Sequence, residues 1–142
     1  MRSIAKRLRA MFTGGDIVEC VFRCSLCGKV AATITLIPPN VRHADVLQPG
    51  VATLVIADFI GRSREQVGGA QEEPLRAALK EKNAAALYEL QHLWAPFYCP
   101  QCQRSYCIHH WTVVDNFDED FPGFYDSTTG TCPEGHRRKV DD

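Results

Sequence analysis

The chain has 142 residues, of which 45% are hydrophobic and 23% charged, and a formal net charge of −1 at pH 7. That length suits one domain with a modest apolar core, and the composition excludes a disordered chain. Near-neutral charge gives no global argument for nucleic acid. The best apolar run, residues 51–60, is broken by Asp58 and is too short to span a bilayer.

Residues 1–12 place Ile4, Leu8, Met11 and Phe12 near one face of a short basic helix with Arg2, Lys6, Arg7 and Arg9, ended by Gly14 and Gly15. No uninterrupted apolar stretch follows these basic residues, so a secretory signal is not expected and the chain is assigned to a reducing cytoplasm. Paired cysteines there more often hold metal than form disulfides. Residues 17–23 and 30–37, rich in β-branched side chains, read as two strands joined by the turn Cys24-Ser25-Leu26-Cys27-Gly28. Pro38 and Pro39 stop the second strand, and residues 51–60 form a third strand candidate before a polar loop with Gly68 and Gly69. The spacing of Leu75, Leu79, Leu87, Leu90 and Trp94 predicts one main helix over 72–94, with Pro74 in its first turn and Pro96 after it. From Cys99 onward the chain reads as loop-rich and dense in ligands, as where metal replaces an apolar core. The acidic run Asp115, Asp118, Glu119 and Asp120 lacks a glycine-centred calcium pattern and reads as a solvated loop.

The fold class expected is therefore α+β: a small zinc-stabilised domain with short β-hairpins, one main helix and a loop-rich C-terminal zinc lobe. Residues 1–15 would be a basic helix or tail and 16–142 a single zinc-binding domain, divided into a hairpin-plus-helix part (16–98) and a ligand-rich lobe (99–142).

Seven cysteines are an odd number, which fits a closed disulfide set poorly. They fit metal better. Cys24 and Cys27, Cys99 and Cys102, Cys107 and His110, and Cys132 and His136 are four ligand pairs at zinc spacing, enough for two tetrahedral structural Zn²⁺ sites. A Cys-x-x-Cys turn brings two thiolates to one ion while backbone amides point at sulfur. His110 is preferred to His109 on spacing, and His43 and His92 are read as surplus polar residues. No His-Glu-x-x-His helix or His-x-Glu accompanies the pairs, so a hydrolytic metal centre is not expected. Cys20 is the one unassigned thiol. Its apolar neighbours Val18, Val21 and Phe22 point to a buried inert residue rather than a nucleophile.

The stretch Cys99-Pro-Gln-Cys102-Gln-Arg-Ser-Tyr-Cys107-Ile-His-His110 resembles the zinc core of in-between-RING domains, with His110 in place of a cysteine. That resemblance implies sequential sites: Cys24, Cys27, Cys99 and Cys102 on one ion, Cys107, His110, Cys132 and His136 on the other. The pattern also resembles RING domains, in which pairs one and three share an ion and pairs two and four share the other. There Leu26, Pro133 and Arg137 match the apolar contact, the proline and the basic residue used on a ubiquitin-conjugating enzyme. Both belong to a two-zinc, treble-clef-like class.

The function expected is a zinc-binding protein-interaction module presenting Leu26, Trp111, Phe121, Phe124 and Tyr125, in its sharpest form a RING-like adaptor recruiting a ubiquitin-conjugating enzyme. Such an adaptor would position a thioester without a nucleophile of its own, so the enzyme question stays open. The partner-binding residues would be Leu26, Trp111, Pro133 and Arg137. The alternative is a nucleic-acid-binding, zinc-ribbon-like protein using Arg137, Arg138 and Lys139 on phosphates.

Overall fold

The computed structural model describes residues 15–142, so the basic N-terminal helix lies outside the described residues. Strands β1 (Val18–Arg23), β2 (Val30–Ile37), β3 (Ala52–Asp58) and β4 (Gly61–Val67) form an antiparallel sheet in sequential order. Cross-strand pairs such as Cys20 with Ile34, Ile34 with Ile56 and Leu36 with Leu54 place alternate apolar side chains on one buried face. Strand β4 is a polar edge, with Gly61 through Gln66 all exposed.

Two short helices follow, α1 (Gly69–Lys80) and α2 (Ala84–Leu90), then a 3₁₀ turn at His92–Trp94. Leu75, Leu79 and Leu87 enter the core beneath the sheet. The expected single helix over 72–94 is thus two helices, and the break has a local cause. Asn83 N–H donates to the Ala78 carbonyl (2.8 Å) and Lys82 N–H to that of Leu79 (3.1 Å), the paired bonds of a Schellman C-cap. Lys82 takes the left-handed position at φ 51° that glycine usually fills. Asn83 then caps α2, its side chain accepting from Ala86 N–H at 3.0 Å. Helix α1 begins at Gly69, which puts Pro74 inside it rather than in its first turn.

The C-terminal lobe is also regular. Strands β5 (Tyr98–Cys99) and β6 (Arg104–Ser105) make a small hairpin, a 3₁₀ turn spans Ile108–His110, and β7 (Thr112–Phe117), β8 (Tyr125–Thr131) and β9 (Arg137–Asp141) form a three-stranded antiparallel meander. The α+β, loop-rich expectation is corrected: among the described residues the protein is mostly β, three sheets with two short helices. Polar, threonine-rich strands such as Tyr125–Thr131, whose buried residues are Ser127, Thr128 and Gly130, carry little of the hydrophobic signal by which strands are recognised.

One apolar cluster runs from Cys20 through Phe22, Leu54, Leu75, Leu87 and Phe97 to Trp111 and Cys132, joining the four-stranded sheet to the C-terminal lobe. Phe22 and Phe97 rings meet at 5.0 Å across that junction.

Candidate metal centres

Each CxxC pair sits on a turn whose backbone forces the two thiols together. In the β1–β2 turn Gly28 N–H donates to the Cys24 carbonyl (2.9 Å), and in the β5–β6 turn Gln103 N–H donates to the Cys99 carbonyl (2.8 Å). The residue after each second cysteine turns left-handed, Gly28 at φ 74° and Gln103 at φ 55°. The β8–β9 turn repeats the device with Gly135 at φ 87°, one residue before His136. Cys107 and His110 bracket the 3₁₀ turn, closed by His110 N–H to the Cys107 carbonyl at 3.0 Å.

These turns gather the eight residues into two Cys₃His groups: Cys24, Cys27, Cys107 and His110, and Cys99, Cys102, Cys132 and His136, each with its ligand atoms within 4.8 Å of one another. In the first group Cys27 and Cys107 sulfurs are 3.6 Å apart, and His110 Nδ1 is 3.4 Å from the sulfurs of both Cys24 and Cys107. In the second, Cys102 and Cys132 sulfurs are 3.7 Å apart, and His136 Nδ1 lies 3.6, 3.3 and 3.4 Å from the sulfurs of Cys99, Cys102 and Cys132. A tetrahedron built with Zn–S of about 2.3 Å and Zn–N of about 2.05 Å has S–S edges near ~3.75 Å and S–N edges near ~3.55 Å. Both groups therefore match the size of a closed zinc site, and the chain is consistent with two structural Zn²⁺ ions.

The surroundings act on the thiols in both directions. Burial pushes the Cys24 thiol up, but the backbone N–H groups of Cys107, Cys27 and Leu26 outweigh it and bring the group to about 6. Cys132 is likewise held below its ordinary value, burial being offset first by the N–H groups of His136 and Glu134. Burial raises Cys99 to about 11 and also lifts Cys107, so each group holds one thiol lowered by backbone N–H groups and one raised by burial. Amide groups also face sulfur directly, from Cys102 to Cys99 and from His136 to Cys132, both at 3.4 Å.

Pairs one and three meet, and pairs two and four meet. The sequential sets implied by the in-between-RING resemblance are not the ones brought together, and the interleaved sets of the RING resemblance are. His110, not His109, joins the first group.

The other singled-out residues divide. Leu26 (52% exposed), Pro133 and Arg137 are on the surface. Trp111 is buried, its ring against Phe59 and Tyr106 and its Nε1 donating to the Tyr106 carbonyl at 3.0 Å. Cys20 is buried and its thiol is raised by burial. His92 stacks on Tyr88 at 4.1 Å, and His43 lies in an exposed loop where its Nδ1 accepts from Asp45 N–H. Sequence reasoning missed Ile108, beside the first site, and read Arg138, which supports the second, only as a phosphate contact. Arg138 donates to the carbonyls of Ala95, Tyr98 and His92 (2.6, 2.8 and 2.9 Å) and lies over the Tyr88 ring, tying β9 to the 3₁₀ turn that leads into Cys99. Ile108, 47% exposed, stands beside Cys107 as Leu26 stands beside Cys27. The only hint of Ile108 in the sequence was its place inside a ligand pair.

No described helix is long and apolar enough to cross a membrane. The chain matches no curated protein and no solved structure. Residues 16–142, which hold all eight candidate ligands, match the family described as domain of unknown function (DUF8328), and the chain belongs to that family.

Proposed function

We propose that this chain is a zinc-organised protein-interaction module in which Cys24, Cys27, Cys107 and His110 ligate one structural ion and Cys99, Cys102, Cys132 and His136 the other. The observation that carries the reading is the pairing of closed four-ligand groups with exposed apolar side chains. Leu26 and Ile108 lie inside the two ligand turns of the first group, so a metal there fixes two apolar contacts that have no core of their own. Four protein ligands leave no open position for substrate or activated water, which separates these groups from catalytic zinc.

The sharper form of the proposal is a RING-like adaptor that recruits a ubiquitin-conjugating enzyme through Leu26, Pro133 and Arg137. Interleaved pairing and the exposure of those three residues support it. Trp111 takes no part in this surface, because it is spent on the core. The nucleic-acid alternative keeps less than its sequence offered, since Arg138 is engaged by three backbone carbonyls and only Arg137 and Lys139 of that run remain exposed.

The test has two stages. Native mass spectrometry of protein purified without added metal should give two zincs per chain, and one or none would remove the module. Discharge of ubiquitin thioester from a panel of conjugating enzymes should then be stimulated by the protein and lost in Leu26→Ala/Arg137→Ala with its two zincs intact. Unchanged discharge by that variant, or no stimulation across the panel, would retire the adaptor form while leaving the module standing.

A further inference from the structure

The turn between β7 and β8 carries the most exposed apolar surface among the described residues. Phe121 and Phe124 are 65% and 69% exposed, and Phe117 and Tyr125 at its base are 57% and 44% exposed. Isolated exposed hydrophobics need no explanation, but two contacting aromatics on the turn above a cross-strand pair of two more, Phe117 with Tyr125, are a concentration of apolar surface that water does not favour. The turn is also ordered from within. Asp118 N–H donates to the Phe124 carbonyl, the Asp118 carboxylate accepts from Asp120 and Phe121 N–H groups, and the Phe121 and Phe124 rings meet edge to face at 6.2 Å. With no Lys or Arg between Asp115 and Asp126, and with Glu119, Asp120 and Asp126 exposed, the tip is internally hydrogen-bonded, aromatic and acidic.

The complementary surface lies elsewhere on the same chain. Between the free edge of β1, the α1–α2 junction and the β5–β6 turn runs an open groove of about 940 Å³. Its exposed charges are Arg23, Lys82 and Arg104 against a single carboxylate, Glu81, and its wall includes Val21, Ala84 and Ala85. That volume is near the top of the roughly 300–1,000 Å³ range of binding clefts. A mostly polar groove with excess positive charge fits the acidic tip by charge, and Val21, Ala84 and Ala85 offer its aromatic rings a small apolar contact.

We propose that the protein self-associates head to tail, the β7–β8 tip of one copy entering the β1–α2 groove of the next. Because tip and groove are different patches, the contact is heterologous and propagates as an open chain or closes as a ring, unlike a two-fold dimer. The inference uses neither Leu26 nor the ubiquitin reading, and it stands if that reading fails.

The heterologous geometry gives a complementation test on the full-length, zinc-loaded protein. Sedimentation velocity should show concentration-dependent oligomers that weaken between low and high salt. Phe121→Ser/Phe124→Ser destroys the tip and Lys82→Glu/Arg104→Glu the groove, and each variant alone should be monomeric. Mixed one to one, they should form a dimer and nothing larger, since each retains one working surface. Two zincs per chain by native mass spectrometry verify that both variants fold, and the milder Phe124→Leu and Lys82→Gln replace any that do not. A wild-type protein that stays monomeric at all concentrations, or variants that remain monomers when mixed, would overturn the proposal. Oligomers that persist in the groove variant but vanish in the tip variant would overturn it in favour of a tip-to-tip dimer.

Discussion

Arg138 shows how one side chain can hold two elements together. Its guanidinium meets three carbonyls at the end of the helical segment and covers the Tyr88 ring, contacts that a lysine, with a compact ammonium, cannot reproduce as a set. With hydrogen bonds to a charged group worth about 1.5–3 kcal/mol each and not additive, Arg138→Ala should cost roughly 2–4 kcal/mol and Arg138→Lys about half of that, read from denaturant midpoints with zinc in excess. Gly130 makes a second residue-level constraint. A Cβ there would stand 2.9 Å from Val140 Cγ1 and 3.1 Å from Trp111 Cε3, both core side chains. Gly130→Ala should therefore lower stability by about 1–3 kcal/mol through overpacking, with zinc content unchanged. Asp58 contributes a pH dependence. Burial raises its carboxyl to about 6, the N–H groups of Ile60 and Gly61 pulling the other way and Asp141 adding to the rise. A carboxyl raised on folding favours the native state only while protonated, so its contribution to stability falls as pH climbs from about 4 to about 6 and is flat above. Asp58→Asn should thus be more stable than wild type at pH 7.5 by up to about 2 kcal/mol, with the gap narrowing toward pH 5 in thermal melts. An equal gap at both pH values would assign the effect to packing instead.

At the level of elements, three of the four metal-holding turns contain one left-handed residue and differ in how they reach it. Gly28 and Gly135 adopt positive φ without a Cβ penalty, whereas Gln103 does so as an ordinary residue. The left-handed conformation costs an L-residue about 1–2 kcal/mol, of which glycine returns roughly half through its looser unfolded chain. Gln103→Gly should therefore stabilise the β5–β6 turn by about 0.5–1 kcal/mol, and Gly28→Ala should destabilise the β1–β2 turn by a similar amount or more. The same conformation explains the helical break. Lys82 supports a complete Schellman cap without a glycine to announce it, which is why a pattern of leucines at helical spacing read as continuous. The meander of β7, β8 and β9 was illegible because of its composition: its buried residues are Ser127, Thr128, Gly130 and a single large apolar side chain, Val140.

For the whole molecule, interleaving is the decisive feature. The first metal group joins the β1–β2 turn to residues 107–110, while the second joins the β5–β6 turn to the β8–β9 turn, so each segment from Cys99 onward lies in sequence next to one held by the other group. Cys24, Cys99, Cys107 and Cys132 also belong to the apolar cluster. Metal removal should consequently unfold both lobes together: chelator titration followed by near-ultraviolet circular dichroism and by zinc release should give one coincident transition. His110→Ala should lower zinc occupancy at the second group as well as the first. Independent loss of the two ions would show that the core, not the metal, fixes the relative position of the lobes.

The ligand residues were legible in the sequence because zinc chemistry demands particular atoms at short local spacing, and Cys-x-x-Cys turns encode that spacing within four residues. The first two strands were legible for the same local reason, β-branched residues between turn signals. Which pairs share an ion was not, because four pairs of similar chemistry can be joined in more than one way, and long-range strand packing chooses among them. Nor did the sequence separate Trp111, which the core consumes, from Leu26, which the first metal group leaves exposed. Both are large apolar side chains next to ligands, and only the packing of Phe59 and Tyr106 around one of them decides which is buried.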